Sequence, residues 1–107
     1  MPIKGYFPAM KAVCEKYGAL LILDEVMCGM GRTGTLHAWE KEDVVPDIHV
    51  VGKGLGAGYA PVSAVLINSR LVESFQKSGK GFAHGQTYMA HPQAAAAALK
   101  VQQIIRD

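Results

Sequence analysis

The sequence predicts an α/β fold: a parallel-sheet core with flanking helices. Three observations carry this. Apolar runs of strand length, "ALLILDEV", "DIHVV" and "PVSAVLI", alternate with segments of helical spacing. The first run is almost wholly apolar until it ends on two carboxylates, as strands of buried parallel sheets do. Glycine-rich turns follow both the first and the second run, where ligands of parallel α/β sheets bind.

The elements follow in order. Phe7, Met10, Val13, Cys14 and Tyr17 recur at helical spacing, which predicts a helix over 6–17 with Gly18 as its C-cap. "ALLILDEV" is the first strand, expected to be buried on both faces. After the loop "MCGMGRTGT", "LHAWEKE" is read as a short helix, and Pro46–Asp47 as a turn. "DIHVV" is a second strand that runs into "GKGLGAGYAP", and "PVSAVLI" is a third. Asn68 is placed to cap the helix "SRLVESFQKS". Residues 78–91 read as loop, and Pro92 suits the first turn of a last helix that runs to Arg106.

Composition narrows the function classes. The 107 residues suffice for one small domain, and 50% apolar with 19% charged is ordinary for a globular chain. The net charge of +2 comes from scattered basic residues, so nucleic acid is not an expected partner. The longest apolar run, Ala19–Leu23, is far too short to span a bilayer. "MPIKGYFPAM" lacks the uninterrupted apolar segment of a secretory signal. The two cysteines, Cys14 and Cys28, build no disulfide framework and fit a reducing compartment; both are read as inert thiols. His37, His49, His84 and His91 show no metal-ligand spacing, so no metal is expected.

Lys53 sits in "VVGKGLGAGYAP", a cation among residues with little or no side chain. Three chemistries compete for it. The dinucleotide pattern G-x-G-x-x-G/A fits Gly52–Ala57 loosely, but it must open a helix, and Pro61 with a β-branched run follows instead. A triphosphate loop needs Ser or Thr after Gly-Lys, where Gly54 stands. The third reading joins Lys53 to Asp24, the acid that closes the first strand. An amine for covalent attachment and a carboxylate for a ring nitrogen suit pyridoxal 5'-phosphate.

At these residues the chain resembles the class III pyridoxal-phosphate-dependent aminotransferases of fold type I. "LILDEVMCGMGRTG", "PDIHVVGKGLGAGYAPVSAV" and "HGQTYMAHP" match that family in order and spacing, and the likeness extends over essentially all of residues 1–107. It implies a part of the family's large, cofactor-binding domain and a parent activity that moves an amino group from an amine or amino acid to a keto acid. By the same resemblance, Lys53 matches the lysine that binds the cofactor as an imine and then shuttles the proton. Asp24 matches the acid facing the pyridine nitrogen, and Val26 the apolar residue against the ring. Thr87 matches the threonine that reaches the cofactor phosphate of a neighbouring subunit, which implies a homodimer.

Other residues are read as bland. Glu25, Arg32 and Arg70 are structural or solvated, His91 is a turn residue, and Trp39 and Tyr59 are packing. Met27 stands where many family members have glutamine, His49 occupies a strand position that is generally small or apolar, and Gln86 replaces a histidine or aromatic. Family members are several times longer, with an upstream phosphate-gripping loop, a ring-stacking aromatic and a C-terminal small domain that have no match here. The chain is therefore expected to be an internal segment with little activity alone. The alternatives are an inactive truncated remnant and a small phosphate- or nucleotide-binding α/β module. A cytoplasmic location is expected, with a mitochondrial one as the alternative.

Overall fold

Glycine punctuates the first helix at its end, as the sequence predicts. The computed structural model describes residues 2–107. Helix α1 spans Tyr6–Tyr17, and Gly18 closes it at φ 67°, its N–H donating to the carbonyls of Cys14 and Glu15. That left-handed turn is one that glycine adopts without a Cβ penalty. The chain then enters β1, Ile22–Asp24, which is shorter than the apolar run that announces it. A five-residue 3₁₀ helix follows at Ala38–Glu42, then β2 at Ile48–Val51 and a 3₁₀ turn at Lys53–Leu55. Strand β3 is Ala64–Ile67, followed by α2, Ser69–Lys77, and α3, Pro92–Arg106. Both later helices start as their sequences indicate. The Asn68 side chain accepts from Leu71 N–H at 3.0 Å, and Pro92 occupies the first turn of α3.

The three strands form one mixed sheet in the order β1-β2-β3. β1 and β2 are parallel, with Asp24 opposite Val50; β2 and β3 are antiparallel, with Val51 opposite Ala64. The parallel core thus holds for two strands only. The reason is the connection. Between β2 and β3 there is a loop with a single 3₁₀ turn and no crossover helix, and such a link returns the chain antiparallel.

Burial is one-sided. In β1 only Leu23 is buried, while Ile22 is 56% exposed, so the strand is not covered on both faces as its composition suggested. In β2 the buried residues are His49 and Val51. Leu21, Leu23 and Val44 form the central cluster, with Phe7, Cys14 and Trp39 packed against it. Trp39 and Cys14 therefore pack as expected, whereas Tyr59 lies on the glycine loop and is 86% exposed. The chain measures 42 × 40 × 19 Å and exposes 7914 Å². A compact monomer of 11.5 kDa exposes roughly 5,800 Å². Apolar strand and helix residues such as Ile22, Val65 and Leu99 are among those left exposed. Among the described residues, no helix is long and apolar enough to cross a membrane.

Asp47 ties these layers together. Its buried carboxylate accepts from Leu21 N–H at 2.9 Å, from Lys11 at 3.1 Å, from the Asn68 amide at 2.8 Å and from Arg70 at 3.1 Å. Those partners come from α1, the lead into β1, and the start of α2. The Leu21 N–H, with the Lys11 and Arg70 charges, holds the Asp47 carboxyl below the usual carboxylate range.

Candidate cofactor site

Parallel pairing puts the carboxyl ends of β1 and β2 side by side. Asp24 is the last residue of β1, and Lys53 opens the turn just beyond β2. Both are exposed at this end of the sheet. The Asp24 carboxylate accepts from Val26 N–H at 3.0 Å, a local turn that fixes the acid while leaving its second oxygen open. Val26 in turn meets the lysine's strand: a Cβ built on Gly52 would lie 3.4 Å from Val26 Cγ1. Asp24, Val26 and Lys53 are therefore gathered at one sheet end by the β1–β2 ladder.

Lys53 itself stands at φ 38°. A left-handed backbone costs a side-chain-bearing residue about 1–2 kcal/mol. Strain of this kind is retained where surrounding structure holds it, and here the turn does so through Leu55 N–H to Gly52 at 2.8 Å and Gly56 N–H to Lys53 at 3.2 Å.

Thr87 begins an exposed turn, 87–90, and among the described residues no hydrogen bond joins it to Asp24 or Lys53. A cavity of about 540 Å³ opens beside β1, lined by Asp24, Glu25, Ile22, Phe7 and Trp39 but not by Lys53. It is the space along the outer edge of β1, which has no strand neighbour there among the described residues.

The other face of the same strand end carries a second group. Side chains alternate along a strand, so Leu23 and Glu25 point opposite to Asp24. Glu25 is only 4% exposed. Its two oxygens accept from Ala38 N–H and Trp39 N–H, each at 2.8 Å, which pins the start of the 3₁₀ helix. Gly29 closes over it: a Cβ there would fall 2.9 Å from the Glu25 carbonyl. His49 lies with Nε2 3.1 Å from Glu25 Oε2, and His37 stacks on Trp39 and meets His49 edge-on. Burial and the neighbouring His49 lower the His37 pKa, and burial with the Glu25 charge raises that of the Cys28 thiol. Glu25 is thus a buried structural anchor and not a solvated acid. Sequence reasoning missed this cluster. The available signal was Glu25's period-two relation to Leu23 and a histidine inside the apolar strand "DIHVV".

The residues present fit pyridoxal phosphate in the chemistry of the donor set, an amine and a carboxylate at one sheet end with an apolar side chain between their strands. The aminotransferase class-III family model matches residues 1–107. An aminotransferase of Gibberella zeae is 62% identical over 103 residues, 96% of this chain and 20% of that protein. An (S)-enantioselective omega-transaminase from Thermomicrobium roseum superposes with a TM-score of 0.94 at 44% identity, covering 99% of this chain and 24% of that one. Taurine:2-oxoglutarate aminotransferase from Bifidobacterium kashiwanohense, solved with PLP and glutamate, gives 0.89 at 40% identity over 94% of this chain and 22% of its own. The chain thus spans between a fifth and a quarter of the length of these relatives, and its α/β architecture is that of fold type I transaminases. It belongs to the class-III aminotransferase family.

Proposed function

We propose that this chain supplies the reactive amine and the ring-nitrogen acid of a pyridoxal-phosphate-dependent transamination between an amine or amino acid and a keto acid. One observation supports this most: Asp24 and Lys53 leave adjacent parallel strands at the same end of the sheet. When bound, the cofactor supplies an electron sink for the substrate's α-carbon.

The chain's own residues do the rest. Lys53 Nζ would hold the cofactor covalently and, as a free amine, would take and return the substrate's α-proton. Asp24 would hold a proton on the ring nitrogen, because a nearby negative charge favours the protonated base. Its hydrogen bond from Val26 N–H fixes the orientation of that carboxylate. Val26 would offer an apolar surface to the ring. Thr87 would contact the phosphate bound by a second copy, which makes the working unit a homodimer.

The test is a chimera in which residues 1–107 replace the matching segment of the Gibberella zeae aminotransferase. Borohydride reduction with cofactor present should fix the label on Lys53, read by peptide mass spectrometry. Lys53→Ala should abolish amino transfer. A label spread evenly over the lysines, or near-normal turnover in Lys53→Ala, would refute the assignment.

A further inference from the structure

Glu25, His37 and His49 play no part in the transamination just described. One ligand-capable atom from each lies within 4.8 Å of the others, and Glu25 and His49 are at most 5% exposed. Each Glu25 oxygen accepts one backbone N–H and so keeps a free lone pair. His49 Nε2 approaches Oε2 to 3.1 Å but has no hydrogen-bond partner among the described residues, and with the ring proton on Nδ1 it is free to offer its lone pair. His37 Nδ1 is likewise buried without one. Two unmatched imidazole nitrogens beside a fixed carboxylate call for a positively charged acceptor of lone pairs.

We propose that Glu25, His37 and His49 bind a divalent transition-metal ion of the zinc class. Two imidazoles and one carboxylate select zinc, cobalt or nickel over magnesium and calcium, which prefer all-oxygen shells. Tetrahedral coordination at about 2.0–2.1 Å sets ligand atoms roughly 3.3 Å apart. The Glu25–His49 pair already stands at 3.1 Å. His37, the partly exposed member, closes the remaining gap by turning its ring. The backbone donors on Glu25 provide the outer support that orients a metal-binding carboxylate. Bound there, the ion joins β1, β2 and the 3₁₀ helix on the face opposite Asp24.

The experiment titrates the tag-free chimera described above with cobalt(II), and with zinc(II) against a chromophoric chelator, in the absence of pyridoxal phosphate. One ion per chain is expected, with the intense visible bands of tetrahedral cobalt. His49→Gln and His37→Phe should each weaken zinc binding by about tenfold or more while leaving the circular dichroism unchanged. Absence of stoichiometric binding, or affinity unchanged in either folded variant, would overturn the site. His37→Phe keeps a ring stacked on Trp39, so it decides the matter alone if His49→Gln does not fold. Because no cofactor is present, failure here leaves the transamination reading untouched.

Discussion

Lys11 Nζ lies 3.1 Å from Asp47 Oδ2, and this contact fastens α1 to the turn that launches β2. The same carboxylate receives Leu21 N–H and Asn68, so three elements depend on one acid. Asp47→Ala should cost about 3 kcal/mol, since it strands a buried backbone donor and leaves Lys11 without its partner. The shift in denaturant midpoint measures it.

Asp47 also sets an acid limit. Its pKa is lower in the folded chain, so its contribution is complete above the ordinary carboxylate value. That contribution decays as the pH falls from about 4 through the folded value. Thermal melts between about pH 6 and 2 should therefore fall more steeply in the native sequence than in Asp47→Asn.

Two glycines of the lysine loop should behave differently. A Cβ on Gly56 would lie 2.3 Å from the Ala60 carbonyl oxygen and 2.8 Å from Val62 Cγ1, so backbone must move. On Gly52 the nearest atom is at 3.4 Å, an ordinary contact, and its φ of −169° suits any residue. Gly56→Ala should cost about 2–3 kcal/mol and Gly52→Ala under about 1 kcal/mol. Equal effects in melting experiments would contradict the packing described.

Cys28 should be a sluggish nucleophile. Burial and the Glu25 charge raise its pKa, and the thiolate is the reactive form. Alkylation by iodoacetamide near neutral pH should run slower than that of free cysteine and accelerate only at more alkaline pH. Peptide mapping of a time course would show this.

Asp24→Asn in the chimera should lower turnover by about a thousandfold, because a neutral amide does not hold the ring nitrogen protonated. Cofactor binding and single-turnover rates separate the two possible causes. If affinity fell while the rate on bound cofactor held, the electronic role of Asp24 would be wrong.

What was legible in the sequence was local. Gly18, Asn68 and Pro92 mark helix ends by chemistry confined to a few residues, and α1, α2 and α3 begin or end where these signals stand. Asp24 and Lys53 were legible because strand-end acids and glycine-flanked lysines are visible in one dimension. The direction of β3 was not, since it depends on how a helix-free loop folds back. Nor was the burial of Glu25, which needs the 3₁₀ helix and His49 brought in from distant segments. Tyr59 failed for the same reason: an aromatic residue predicts packing, but nothing in the described fold reaches it.

The mixed sheet also sets an order of events during folding. Val51 and Ala64 are near neighbours along the chain, whereas Asp24 and Val50 enclose a much longer loop. Closing the shorter loop loses less chain entropy, so the β2–β3 pair forms first and β1 docks afterwards. Lys53 is then held by its turn before Asp24 arrives beside it. In pulse-labelled hydrogen exchange, the amide of Asn68, whose N–H donates to Asp47 beside β2, should gain protection ahead of Glu25, whose N–H donates to Val50. A refolding chain would thus shape the lysine turn before the strand-end acid joins it at the sheet edge.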